Sequence, residues 1–135
     1  MTDVLGIFVN NGFKVGSYPV KDPDETLGVN DRNQLSIAAK IIQKRINKAH
    51  MVAGVSIEDP DNTYIAPTVK IGQDTTIAPG SYIMGNTVIG EESLIGPNAI
   101  LKDAKVGNHA KVVMSSVSNA EIKDGEEIGP FANVK

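Results

Sequence analysis

The feature that most constrains the fold of this sequence is an aliphatic residue that recurs every six positions through the second half of the chain. A period of six matches neither the 3.6-residue turn of an amphipathic helix nor the two-residue alternation of an ordinary strand. It is typical of a parallel β-helix, in which each hexad forms a short strand and a turn and three hexads close a triangular coil. The positions that keep this spacing, with three steps of five residues among them, are Ile65, Ile71, Ile77, Ile83, Ile89, Ile95, Leu101, Val106, Val112, Val117, Ile122, Ile128 and Val134.

A second regularity supports the β-helix. The residue two positions before each aliphatic residue is small in eleven of thirteen cases, and only Val69 and Glu126 depart from this rule. We expect the aliphatic side chains to stack in the interior at about 4.8 Å per coil, with the small residues near the corners and glycines relieving the tight turns. Residues 65–134 then form roughly four coils. For Glu126 two outcomes stay open: a distorted corner, or a carboxylate directed into solvent.

The segment before the repeat predicts one α-helix over residues 31–53. Asn30 or Asp31 supplies the N-cap oxygen, and Gly54 is a natural stop. One side of this helix carries an apolar stripe at spacings of three and four, and the other side carries cations that we interpret as a solvated face. The stripe is Leu35, Ala38, Ile42, Ile46, Ala49 and Val52, and the cations are Arg32, Lys40, Lys44 and Lys48.

Residues 1–30 predict a short helix at about 3–11, a strand at about 13–20 and an acidic turn at 21–25. Two short elements cannot cover all of their apolar side chains, so we expect this segment to dock on a neighbouring subunit. These side chains are Val4, Leu5, Ile7, Phe8, Phe13, Val15, Tyr18 and Val20.

Composition narrows the class of protein. The formal net charge is -3 with no basic block, which argues against nucleic acid and anionic membrane surfaces as partners. There is no cysteine, hence no disulfide, catalytic thiol or Cys-based metal site. The N-terminus lacks the basic region of a signal peptide, and no run of 18 apolar residues is present. We therefore expect a cytoplasmic protein.

Three motifs narrow the assignment further: "TLGVNDR" at 26–32, "DPDNTYI" at 59–65 and "IGPFA" at 128–132. Together with the hexapeptide repeat they resemble the bacterial bifunctional N-acetylglucosamine-1-phosphate uridyltransferase and glucosamine-1-phosphate N-acetyltransferase family. The resemblance implies a left-handed β-helix. It covers the whole chain as an interior slice: 1–30 matches the end of the uridyltransferase domain, 31–54 a linker helix, and 55–135 the first coils of the β-helix.

The same resemblance implies that the catalytic residues of both family reactions lie outside this slice. We expect this chain to be a fragment or truncated relative that is inactive alone and needs no cofactor, with Mg2+ and acetyl-CoA serving the full-length family. The expected partners are two further copies in a homotrimer, with stacking on a full-length homologue as a further option. Two alternatives stay open: a non-enzymatic trimeric scaffold, and a small acyltransferase that uses His109.

Few residues offer chemistry of their own, and we assign none to catalysis or cofactor binding. Asn30 matches a family asparagine that helps to hold Mg2+, although its aspartate partner is absent, and a helix N-cap is the competing interpretation. His109 suits an exposed turn, and His50 lies near the helix C-terminus, where positive charge is favourable. The acidic clusters at 22–25 and 58–62 suit turns better than cation sites.

Overall fold

The computed structural model describes residues 28–135. The predicted helix at 3–11, strand at 13–20 and acidic turn at 21–25 lie outside the described residues. The described part contains one α-helix, a short 3-10 helix at Pro60–Asn62 and fourteen strands of two or three residues each. The helix α1 is Arg32–Val52, and the strands are β1 Ser56–Ile57, β2 Tyr64–Ile65, β3 Lys70–Ile71, β4 Thr76–Ile77, β5 Tyr82–Met84, β6 Val88–Ile89, β7 Leu94–Ile95, β8 Ile100–Lys102, β9 Lys105–Val106, β10 Lys111–Val112, β11 Ser116–Ser118, β12 Glu121–Ile122, β13 Glu127–Ile128 and β14 Asn133–Val134.

Every third strand pairs in parallel, which makes the chain a β-helix with three faces. Sheet A has the order β1-β4-β7-β10-β13, sheet B has β14-β11-β8-β5-β2, and sheet C has β12-β9-β6-β3. The predicted fold class is therefore confirmed. The coils number nearly five rather than four, because β1 adds a rung before Ile65, and its Ile57 pairs with Ile77 of the next coil.

The repeat fixes the register of the interior. Ile77 lies opposite Ile95 in sheet A, and Ile83 lies opposite Leu101 in sheet B, so like positions stack on like. These four side chains are fully buried, and Ile71, at the edge of this core, is partly buried. Each buried aliphatic side chain contributes about 1.5–3 kcal/mol relative to exposure. The predicted inward column is confirmed.

The small residues of the repeat are also buried, and their hydroxyls do more than fit a corner. Thr75 Oγ1 donates to the Gly90 carbonyl at 2.7 Å and accepts from the Ser93 amide at 3.1 Å. Ser93 Oγ repeats this one coil later, donating to the Gly107 carbonyl at 2.9 Å and accepting from the Ala110 amide at 3.1 Å. The hydroxyls thus join successive coils at a corner, where the strand ladder is interrupted.

Glycine is required at this corner by close backbone approach. A Cβ placed on Gly72 would lie 2.7 Å from both the Gly90 carbonyl carbon and the Glu91 amide nitrogen. Backbone atoms in a stacked coil cannot give way to a methyl group at that distance. The sequence interpretation of the corner glycines is therefore confirmed for Gly72.

Of the two outcomes left open for Glu126, the structure shows a carboxylate directed into solvent. The residue is exposed, and its Oε2 accepts a hydrogen bond from the Lys123 amide at 2.8 Å. The side chain folds back over its own turn, so strand β13 follows without a break in the pairing with β10.

Helix α1 begins at a cap supplied by Asp31. Its Oδ1 accepts from the Gln34 amide at 2.8 Å, while the Asn30 amide donates to Gln34 Oε1 at 2.7 Å. Asp31 rather than Asn30 is thus the N-cap, and the N-cap interpretation of Asn30 is wrong. Gly54, at φ +102, lies just after the helix end, as the sequence predicts.

The face that α1 buries is polar. Gln43 and Asn47, four residues apart, are 7% and 0% exposed, whereas Leu35 and Ile42 of the apolar stripe are 56% and 53% exposed. The apolar stripe found in the sequence is thus exposed, not buried, at these two positions. Of the stripe, Ile46 is partly buried against the core.

The reason lies in what α1 meets. Gln43 Nε2 donates to the Thr63 carbonyl at 2.6 Å and the Pro60 carbonyl at 3.0 Å, and Asn47 Nδ2 donates to the same two carbonyls at 2.9 Å each. We call Gln43 and Asn47 the amide clamp. These carbonyls belong to the first turn of the β-helix and need donors when they are covered.

Candidate functional site

The outer side of sheet B is the most apolar face of the described β-helix. Tyr64, Tyr82 and Ile100 lie in register on adjacent strands and point outward. They are 38%, 44% and 47% exposed, and the two tyrosine rings are 5.3 Å apart with planes inclined by 34°. We call these three residues the aromatic face. The outward residues of sheet A, by contrast, include Lys111 paired with Glu127.

Helix α1 borders this face. Lys40 Nζ donates to Tyr64 Oη at 2.9 Å and to the Asp61 carbonyl at 2.8 Å, and it lies 4.8 Å from the centre of the Tyr64 ring. A groove of about 260 Å³ separates the helix from the sheet, and its apolar lining includes Ile42 and Met84. The apolar surface therefore continues from the sheet onto the helix.

A second groove runs along the other side of α1 and has a volume of about 720 Å³. Its apolar lining includes Ile37, Ile41 and Met51, of which Ile37 and Met51 are 47% and 38% exposed. Lysines at positions 40, 44 and 48 line it as well, each one helical turn from the next. We call it the lysine groove.

The structure places His109 away from these surfaces. Its backbone lies at φ 55 in a turn, and Nδ1 is 3.2 Å from Glu92 Oε2. Both side chains are more than half exposed. An exposed contact of this kind is screened by water and contributes little to stability.

Asn30 is exposed beside the start of α1. Among residues 28–135 no three His, Cys, Asp or Glu side chains gather closely enough to hold a metal ion. The metal role of Asn30 stays a prediction that the resemblance implies. At 58–62 the predicted turn is observed: Asp59 Oδ1 accepts from the Asp61 amide at 3.2 Å, and Asp59 Oδ2 accepts from Asn62 Nδ2 at 2.8 Å.

His50 lies in the last turn of α1. Its partial burial lowers the pKa of the imidazole below the ordinary value of 6.5, because desolvation disfavours the charged ring. The neutral form is thereby favoured, which opposes a role as a positive charge at the helix end.

Sequence reasoning missed the amide clamp and the contact of Lys40 with Tyr64. One signal for the clamp was available, because the two amide side chains stand four residues apart and therefore on one face of the helix. No signal linked Lys40 to Tyr64, which lie 24 residues apart in sequence.

Within the described range, no helix is both long and apolar enough to cross a membrane.

Known protein families include one with the same six-residue repeat. Residues 68–103 match the family model described as bacterial transferase hexapeptide (six repeats). All 135 residues align with the bifunctional protein GlmU of Halalkalibacterium halodurans at 44% identity, over 30% of that protein. The GlmU proteins of Geobacillus sp. and Lactobacillus helveticus are 45% and 46% identical over the whole chain and 29% of their own length.

The resemblance drawn from the sequence motifs is thus confirmed, and the chain has the left-handed β-helix of hexapeptide transferases. It spans about 30% of the length of the curated relatives that it matches. Among solved structures, PerB from Caulobacter crescentus, in complex with CoA and GDP-perosamine, matches at 15% identity over 72% of this chain and 60% of that one. Its TM-score of 0.28 is too low to inform function.

Proposed function

We propose, from the relationship of this chain to the bifunctional GlmU proteins, that it forms the β-helical platform of an N-acetyltransferase of cytoplasmic UDP-N-acetylglucosamine synthesis. Similarity over all 135 residues supports the assignment. The division into a uridyltransferase remnant at 1–30, a linker helix at 31–54 and a β-helix at 55–135 is part of the same proposal.

The platform works as a homotrimer. The observation that carries this proposal is the aromatic face, whose three apolar side chains stand in register on a flat parallel sheet. Contiguous exposed apolar surface of this kind marks association sites. Three copies side by side, with their long axes parallel, cover such a face in each copy, and a closed ring leaves no surface free for further growth.

Acetyl-CoA and Mg2+ belong, in this proposal, to the full-length relatives, and the 135-residue chain transfers neither acetyl nor uridyl groups by itself. Within 55–135 the one imidazole is that of His109. It stands in water beside Glu92 and is not held in a cleft. A general base for an attacking amine has to lie within hydrogen-bond reach of that amine in the bound complex.

Light scattering of the full chain tests the trimer. We expect a mass of three chains at tens of micromolar, and a lower mass for the Ile100→Glu variant, which places a carboxylate on the aromatic face. Lys111→Glu, a matched control on sheet A, should remain a trimer. A monomeric parent chain, or equal dissociation of both variants, would contradict the proposal.

An acetyl-transfer assay with glucosamine-1-phosphate, followed by release of free CoA thiol, tests the catalytic part. We expect no turnover above background from the 135-residue chain. Turnover that survives purification from host enzyme and disappears in His109→Ala would instead support the small acyltransferase.

A further inference from the structure

We propose that the lysine groove binds an acidic amphipathic α-helix of a partner protein. The inference goes beyond the proposed function and does not depend on it. It rests on three features of the groove: an elongated apolar floor, a straight row of cations beside that floor, and the absence of carboxylates from α1 itself.

The apolar floor of the groove follows the axis of α1. Ile37 and Ile41 lie one helical turn apart, and Met51 continues the floor towards the end of the helix. Fourteen residues separate Ile37 from Met51, which is about 21 Å along a helix. A long apolar strip of this kind is the surface into which a second helix lays its own apolar face.

The cations stand in a row that a helix can match. Lys40, Lys44 and Lys48 line the groove at intervals of one turn, about 6 Å along the axis. Carboxylates four residues apart on a facing helix recur at the same interval, so each of them can meet one ammonium group. Among the described lining residues, Asp61 carries the one carboxylate, so positive charge dominates the groove.

Lys40 keeps capacity for such a contact. Its Nζ already donates to Tyr64 Oη and to the Asp61 carbonyl, and an ammonium group has three N–H donors. The two bonds hold the ammonium group at the wall of the groove and leave one donor for an incoming carboxylate.

The same helix of a second copy does not fit the groove. Within Arg32–Val52 there are five Lys and Arg residues and no Asp or Glu. Laying α1 of another copy along the groove would therefore bring like charges together, which is repulsive. Since α1 is the one α-helix within residues 28–135, the described part of a second copy has no other helix to place there.

An anionic membrane surface is the competing partner of a basic amphipathic helix. Such a helix presents its apolar side chains outward to a flat layer of headgroups. Here Pro60 and Asp61, from the turn that faces α1, line the same groove as Ile37 and Ile41. The net charge of the chain is -3, which opposes binding to an anionic surface. Shape and charge therefore favour a helix as the occupant.

Fluorescence anisotropy with a labelled peptide tests the inference on the full chain. The probe is a synthetic amphipathic peptide of about 15 residues, with leucines at spacings of three and four and glutamates at spacings of four. Its matched control has glutamine for each glutamate. We expect the glutamate peptide to bind about tenfold more tightly than the control at low salt, with a smaller difference at high salt. Equal affinity for both peptides, or no binding of either, would overturn the inference.

Charge variants of the chain locate the site. Lys44→Glu/Lys48→Glu should weaken binding of the glutamate peptide about tenfold, because attraction at two exposed positions becomes repulsion. Lys70→Glu/Lys105→Glu, on the outer side of sheet C, makes the same change in net charge and should bind like the parent chain. Equal losses in the two double variants would place the peptide outside the groove and refute the proposal.

Variants of the floor separate the apolar contribution from the charges. Ile37→Ser/Met51→Ser should weaken binding about tenfold and keep the salt dependence of the parent chain, because both side chains are half-exposed floor residues. Val52→Ser, at an exposed position that does not line the groove, is the control. Unchanged affinity in the Ile37/Met51 variant would contradict docking on the floor.

Two further measurements decide the class of partner. Circular dichroism should show that the glutamate peptide gains helix when it binds, and binding without added helix would overturn the proposal. In sedimentation with phosphatidylserine and phosphatidylcholine vesicles, the parent chain should remain in the supernatant. Sedimentation that Lys44→Glu/Lys48→Glu abolishes would assign the groove to a membrane surface instead.

Discussion

The fully buried large side chains of the coils are aliphatic, whereas the buried side chains of the helix are amides. In the coils, Ile83 and Ile95 are fully buried at the repeat positions. In α1, Val52 is 81% exposed, while Asn47 is 0% exposed. The comparison shows that an apolar pattern predicts burial where the partner surface is apolar, and fails where the partner presents backbone carbonyls.

The cause of the difference is the surface that each element meets. An inward residue of one coil packs on the equivalent residue of the next coil, so every aliphatic repeat position meets another aliphatic side chain. The buried side of α1 meets the carbonyls of Pro60 and Thr63 at the first turn. Covered carbonyls need donors, and aliphatic side chains have none.

The largest expected effect tests the coil side of this comparison. Ile95→Ala should lower the free energy of unfolding by about 2–5 kcal/mol, because a fully buried side chain leaves a cavity within stacked coils. Denaturant unfolding at fixed protein concentration measures it. Val52→Ala on the exposed stripe is the control and should change the free energy by less than about 0.5 kcal/mol. Similar losses in both variants would remove the distinction between the two regions.

The next effect tests the amide clamp. Gln43→Ala/Asn47→Ala should cost about 2–4 kcal/mol, because both shared carbonyls lose their side-chain donors. Each single variant leaves one amide on both carbonyls, so the double loss should exceed the sum of the single losses. Asn33→Ala, exposed on the same helix, is the control. Strict additivity in the unfolding measurements would show that the two amides do not act together.

A smaller effect concerns the hydroxyls that join the coils. Ser93→Ala should cost about 1 kcal/mol, because it leaves the Gly107 carbonyl and the Ala110 amide without their side-chain partner. Alanine fits the site, since alanines occupy the equivalent buried positions 99, 104 and 110. Ser56→Ala, exposed on sheet A, should be neutral. A thermal midpoint unchanged in Ser93→Ala would assign the serine to shape alone.

The smallest effect is a pH dependence at the end of α1. The folded state lowers the pKa of His50 below 6.5, so the unfolded chain binds the proton more readily. The contribution to stability is complete above pH 6.5 and is lost as pH falls from there through the folded pKa. His50→Gln should remove this part of the slope. Unfolding curves between pH 7.5 and pH 5 that coincide in slope for both proteins would exclude a contribution from His50.

The sequence by itself determined the coils, because each repeat position packs on the equivalent position of the next coil. Inward residues, small corner residues and the glycine at position 72 follow from stacking identical units at a fixed spacing, and no distant segment is needed to interpret them. The position of the helix was equally readable from its flanking residues, Asp31 and Gly54.

Only the tertiary structure decided which face of α1 is buried, whether Asn30 or Asp31 is the N-cap of α1, and which atoms accept hydrogen bonds from Lys40. The carbonyls that select Gln43 and Asn47 come from residues 13–20 positions further along the chain. Pro60 begins the 3-10 turn Pro60–Asn62, and Thr63 follows it directly. Lys40 likewise donates a hydrogen bond to Tyr64, which lies 24 residues further along the chain. A periodic pattern in the sequence shows which side chains share a face of an element. The need for a hydrogen-bond donor on that face arises only when two separate segments meet.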